Sequence, residues 1–152
     1  DGFARGSVEL LRDGRLLMVF PEGARGLGKL YKDRYHLSHF GTGFMRIALQ
    51  TGTPIIPLAF IGGEEAMPTM FHAKRLARLV GAPYWPVPPY LLPFPLPLGC
   101  EIHYGKPMHF EGTGNEPDEV VEGYVEQVKS VINLLVTRGR AVAGCDKERI
   151  DA

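Results

Sequence analysis

Cysteine is scarce in this sequence: the 152 residues hold two, Cys100 and Cys145, far apart and in no Cys-x-x-Cys or mixed Cys/His pattern. That spacing suggests neither a metal site nor a disulfide framework, and it fits a reducing compartment. An excess of one charge is missing too. Seventeen Lys and Arg balance 17 Asp and Glu, with no long basic run, so nothing points to nucleic acid. A membrane-spanning run is also absent. No charge falls between Arg78 and Glu101, but Pro83, Pro86, Pro88, Pro89, Pro93, Pro95 and Pro97 break that stretch. A helix with such a proline density cannot cross lipid, because its backbone groups would go unsatisfied. The opening Asp1-Gly2-Phe3-Ala4-Arg5 has no initiator methionine, basic n-region or apolar h-region, so no signal peptide is expected here and the chain reads as starting within a domain.

What is present fits one α/β domain, or part of one, since 152 residues with 45% hydrophobic content build a single core. Ser7–Arg12 reads as a helix end with Val8 and Leu11 inward, closed by Asp13-Gly14. Leu16–Phe20 is an unbroken apolar run between Gly14 and Pro21, the pattern of a strand buried on both faces in a parallel sheet. From Pro21 to His39 no period is sustained, and the segment reads as a long, functionally suspect loop. Gly41–Gln50 is amphipathic, with Phe44, Ile47 and Ala48 on one face and Thr51-Gly52 as its stop. Ile55–Ile61 is a second buried strand, in which Pro57 requires a bulge or an edge. Together these elements predict a right-handed strand–helix–strand crossover in a mixed, largely parallel sheet flanked by helices, incomplete at its amino end.

Met70–Val80 reads as helix, the proline-rich stretch as an extended cover, and Glu101–Tyr104 as a last strand turned at Gly105-Lys106-Pro107. Val121, Val125, Val128, Ile132 and Leu135 recur four and three apart along a helix from Pro117 to Arg138. Gly139 is the expected stop, and residues 140–152 read as a loose tail after one domain over residues 1–139.

Chemistry concentrates in Phe20-Pro21-Glu22-Gly23-Ala24-Arg25, which directly follows the first apolar run. Open α/β sheets bind ligands beyond the carboxyl ends of their strands. Pro21 ends the strand, Gly23 permits a backbone conformation closed to other residues, and Arg25 can hold a phosphate or carboxylate in a bidentate fork. The surrounding charges agree: Arg25, Lys29, Lys32, Arg34 and Arg46 face only Asp33, so an anionic ligand and a solvated loop are equally good readings.

Those six residues resemble the Phe-Pro-Glu-Gly-Thr-Arg block of the glycerophospholipid (lysophosphatidate acyltransferase-like) superfamily. Thr53-Pro54-Ile55-Ile56-Pro57-Leu58 resembles its later Pro-Ile-Ile-Pro-Val block, in the right order. The stretch from Leu10 to Pro68, with Phe40-Gly41-Thr42-Gly43-Phe44 and Gly62-Gly63-Glu64-Glu65, is most similar to the monoacylglycerol and diacylglycerol acyltransferase-like branch. The resemblance implies transfer of a fatty acyl group from acyl-CoA or acyl carrier protein to a hydroxyl of a glycerolipid, with no bound cofactor. It implies acceptor binding by Pro21, Glu22, Gly23, Ala24 and Arg25, Ala24 replacing the usual Thr or Ser. It also implies a His-x-x-x-x-Asp base. No such pair exists here: five places after His36, His39, His72, His103 and His109 stand Gly41, Phe44, Ala77, Met108 and Gly114. The base is expected upstream, and this stretch alone is expected to be inactive.

Two other readings compete. Gly23-Ala24-Arg25-Gly26-Leu27-Gly28-Lys29 satisfies a phosphate-binding loop, but Leu30 stands where magnesium needs Ser or Thr. A non-catalytic lipid-surface module would use the basic loop together with Tyr84, Trp85, Tyr90 and Phe94, aromatic rings suited to the membrane interface. Those four residues are the expected membrane contact, on the cytoplasmic face.

Overall fold

The computed structural model describes residues 2–23, 34–66, 71–72, 86–87 and 99–150. Helix α1 (Gly2–Arg12) buries Val8 and ends in a Schellman arrangement: the Arg15 N–H donates to the Leu10 carbonyl and the Gly14 N–H to that of Leu11. Gly14 supplies the left-handed φ of +74° that this closure needs. Helix α2 (Gly43–Thr51) ends the same way at Gly52, with Thr53 and Gly52 donating to Ala48 and Leu49. Two sequence signals, Asp13-Gly14 and Thr51-Gly52, thus become two capped helix ends, and α1 and α2 pack on each other.

Strand β1 (Leu58–Ile61) follows, then a single helical turn α3 (Gly63–Ala66) and a small antiparallel pair, β2 (Phe71–His72) with β3 (Pro86–Val87). Strand β4 (Glu101–Tyr104) returns to pair antiparallel with β1, Leu58 opposite Tyr104 and Ile61 opposite Glu101. Helix α4 (Asp118–Ile150) completes the order.

α4 unites the core. Its Val121, Val125 and Val128 pack with Phe40, Met45 and Leu49, while Val136 reaches Ala59 and Ile61 on β1. The valine stripe therefore serves two clusters, one against α2 and one against the sheet. Each such side chain contributes about 1.5–3 kcal/mol when fully buried. The register places Ala59, Ile61 and His103 on the α4 side, and Phe60, Ile102 and Tyr104 on the other, where they are half or more exposed.

Several expectations need correction. Leu16–Phe20 forms no strand; Leu16, Met18 and Phe20 are exposed, Leu16 at 84%, and Leu17 and Val19 are half-buried. An apolar run becomes a strand only where a neighbour offers hydrogen bonds, and no described residue does. Consequently the strand–helix–strand crossover is not formed, and the described strand pairs are antiparallel rather than parallel. The second strand starts at Leu58 instead of Ile55. Ile55 makes a lone bridge to Met108, and buried Pro57, which has no N–H to give, breaks the ladder while its carbonyl accepts from Gly105. Phe71–His72 is strand where helix was expected, and residues 73–80 lie outside the described residues. α4 runs through Gly139 to Ile150, where the sequence suggested a stop and a tail. Gly139 is there for closeness, not termination: a Cβ would lie 2.6 Å from Ile61 Cγ1.

Candidate functional site

The Phe20–Gly23 segment is a tight turn. The Gly23 N–H donates to the Phe20 carbonyl at 2.9 Å, Pro21 presets the first corner, and Gly23 takes a φ of +59°. A separate strap holds it. The Ser38 N–H donates to Glu22 Oε1 at 3.0 Å, and the Gly41 N–H to the Pro21 carbonyl at 3.0 Å. The carboxylate of Glu22 is thus spent at least partly on the backbone of residues 36–41, bracing the turn from within.

That strap is anchored on both sides of Ser38. Downstream, Phe40 is 2% exposed in the core, with Lys129 Nζ 5.7 Å from its ring centroid. Upstream, the Tyr35 hydroxyl accepts from the Gly62 N–H at 3.0 Å, and the Arg140 guanidinium lies 5.0 Å from the Tyr35 ring centroid. Tyr35 is the only non-glycine residue with positive φ among the described residues, at +63°. A tyrosine held there costs local strain, which the hydroxyl bond, the cation and packing against the Ala59, Ile61 and Val136 cluster offset. The strap therefore links the turn to the end of β1 and to α4.

Of the expected acceptor-binding residues, the structure places Pro21, Glu22 and Gly23 in this turn; Ala24 and Arg25 lie outside the described residues. So do the expected membrane contacts Tyr84, Trp85, Tyr90 and Phe94, and Lys29 and Leu30 of the phosphate-loop pattern. Arg46 is not part of an anion site. Its guanidinium donates to the carbonyls of Gly114 and Glu116, at 2.8 and 3.0 Å, and to Asp118, pinning the loop before α4 onto α2. Glu116 closes that loop from the other side: the Thr113 N–H and hydroxyl and the Gly114 N–H hold its carboxyl below the usual glutamate range.

His36 and His39 are exposed, with no carboxylate paired to either among the described residues. His103 does have one, Glu101 at 2.9 Å, but its ring faces Gly139 in the seam between β4 and α4. Sequence reasoning missed Ser38 and Tyr35. The Phe40-Gly41 pair carried part of the signal, whereas nothing in the composition marks a tyrosine for the left-handed region.

Among the described residues no helix is long and apolar enough to cross a membrane, and no cluster of His, Cys, Asp or Glu could hold a metal ion. Comparison with known proteins gives the same direction as the turn. An uncharacterised protein of Mycobacterium tuberculosis is 40% identical over 140 residues, covering 85% of this chain and 39% of that protein. A Gallus gallus protein named as a DGAT1/2-independent enzyme synthesizing storage lipids is 25% identical over 139 residues, covering 90% of this chain and 39% of its own length. A chloroplastic 1-acyl-sn-glycerol-3-phosphate acyltransferase of Brassica napus is 37% identical over 62 residues, 41% of this chain and 16% of that enzyme. No solved structure matches. The chain spans about two fifths of the length of the first of these relatives. The family model described as Acyltransferase matches residues 2–61, which include α1, the Phe20–Gly23 turn, its strap and β1.

Proposed function

We propose that the protein carrying these residues transfers a fatty acyl group from a thioester, on coenzyme A or acyl carrier protein, to a hydroxyl of a glycerolipid acceptor. The acceptor oxygen attacks the thioester carbonyl, the new C–O bond forms as the C–S bond breaks, and the hydroxyl proton passes through a base to the departing thiolate. The base is a His-x-x-x-x-Asp pair outside this chain, and residues 21–25 form the acceptor side. The observation that carries this reading is the Glu22–Ser38 clasp, which gives the Pro21–Gly23 turn a fixed shape within the matched segment. A fixed turn is what positioning an acceptor requires, since misplacement of about 1 Å costs on the order of a hundredfold in rate.

In this reading the uncharged stretch 83–98 rests at the lipid interface without crossing it, keeping the site beside its water-insoluble acceptor. The test is the full-length protein with radiolabelled acyl-CoA or acyl carrier protein and a panel of lysophospholipid, glycerol phosphate and monoacylglycerol acceptors. Label should appear in one acceptor class, and residues 1–152 alone should be slower by about a hundredfold or more. Lipid binding without transfer by the full-length protein would instead leave a non-catalytic lipid-surface module.

A further inference from the structure

Tyr35 stands where a tyrosine is costly, at a φ of +63° in the left-handed region. A glycine would take that conformation without penalty. A side chain kept there in spite of the strain points to work that the side chain performs. Its hydroxyl accepts from the Gly62 N–H at 3.0 Å. That donor is fixed from two further directions: the Gly62 carbonyl accepts from the Ala66 N–H at 2.9 Å, and a Cβ on Gly62 would overlap the Gly99 carbonyl oxygen.

The Tyr35 ring lies against the Ala59, Ile61 and Val136 cluster, whereas Leu37 and Phe40, to either side of Ser38, pack in the cluster of Met45 and Leu49. The strap thus crosses from one core cluster to the other, and the Ser38 N–H that Glu22 accepts lies at the crossing. Apolar packing sets how deep a segment lies but has no direction. A hydrogen bond to a fixed donor does have one, and it sets the angle at which the strap runs. Three residues span at most about 10–11 Å, so little slack separates the hydroxyl of Tyr35 from the clasp at Ser38. A plain core contact needs only the ring, which phenylalanine supplies as well; the hydroxyl is the part that reaches Gly62.

We infer that Tyr35 is a positioning residue: its hydroxyl bond to Gly62 orients the strap and, through the Ser38–Glu22 clasp, shapes the Pro21–Gly23 turn for the acceptor. The link to the acceptor rests on the acyl-transfer reading; the link from hydroxyl to clasp stands without it.

Tyr35→Phe in the full-length protein removes one oxygen and keeps the ring. By hydrogen–deuterium exchange, the Ser38 amide should lose protection by about two- to tenfold, the range that one hydrogen bond's net worth implies. Arg46→Met, a destabilising change away from the strap, should leave that amide as it is. With radiolabelled acyl-CoA or acyl carrier protein, kcat/KM for the acceptor should fall by about tenfold or more while the donor KM holds. Tyr35→Phe on a Glu22→Gln background should add little, because both act through one clasp. Ser38 exchange in Tyr35→Phe equal to the wild type would overturn the inference. So would equal changes in the acceptor and donor constants, or full additivity of the two substitutions. A wild-type protein that transfers to no acceptor overturns the acyl-transfer reading instead, and the Ser38 amide then decides by itself whether Tyr35 holds the turn.

Discussion

Gly139→Ala separates a closely packed helix position from an open one, because the two give opposite signs. A Cβ at Gly139 would lie 2.6 Å from Ile61 Cγ1 and 2.8 and 2.9 Å from Cδ2 and Nε2 of His103. Neither neighbour can give way easily. Ile61 is 3% exposed within a paired strand, and the His103 ring is tied to Glu101 at 2.9 Å. Replacing glycine by alanine inside a helix gains roughly 1 kcal/mol from propensity, whereas forcing a methyl into a filled seam costs about 1–3 kcal/mol. The net expectation is destabilisation of up to about 2 kcal/mol. Gly123 is the internal control, because it lies in the same helix, is exposed, and has nothing within 4 Å of its would-be Cβ. Gly123→Ala should stabilise by about 0.5–1 kcal/mol. Urea unfolding followed by far-ultraviolet circular dichroism reads both midpoints. If Gly139→Ala raises the midpoint as far as Gly123→Ala does, α4 is not seated against Ile61 and His103 and the description of the seam is wrong.

Arg46→Met should cost about 1–2 kcal/mol, by stranding the Gly114 and Glu116 carbonyls; Asp118 is 80% exposed and adds little, and an unchanged thermal melt would contradict this. Because hydrogen bonds led by the Thr113 N–H depress the Glu116 pKa, its contribution is complete above the ordinary glutamate range and is lost as pH falls through the lower folded value. The amide shifts of Thr113 and Gly114 should titrate below that range, and a midpoint within or above it would refute the bonding pattern. In the full-length protein, Arg25→Lys should raise the KM for the acceptor more than that for the donor, since an ammonium lacks the guanidinium fork; equal responses would remove Arg25 from the acceptor side. Trp85, the single tryptophan, should shift blue and become shielded from aqueous quencher when vesicles are added, and an unaltered spectrum would refute the interfacial placement of residues 83–98.

How much of this was legible beforehand depended on whether a signal was local. Helix ends were: Asp13-Gly14 and Thr51-Gly52 state their own closure, because a left-handed glycine is a one-residue requirement. The α4 stripe was legible as well, since a 3.6-residue period survives whatever it packs against. Leu16–Phe20 was not, because a strand is half of a pair and the run says nothing about whether its other half is present. Gly139 misled for a related reason: glycine is written identically where a helix stops and where a helix must come close. At the site, the Pro21-Glu22-Gly23 turn was readable from its residue types, but the role of Glu22 was not. Its partner is the main-chain N–H of Ser38, and a backbone donor leaves no mark on a sequence.

The pairing of β1 with β4 also has a bearing on how the chain is made. Residues in register across these strands are separated by roughly forty positions, so their contact closes a long loop and belongs to the slow part of folding. At about 5–20 residues per second of synthesis, β1 spends about 2–8 s outside the ribosome before β4 exists to pair with it. α1 and α2, both made before β1, can dock during that interval. Ala59 and Ile61 cannot reach their buried state until β4 and then α4 arrive, so the latest-made helix closes the earliest-made strand.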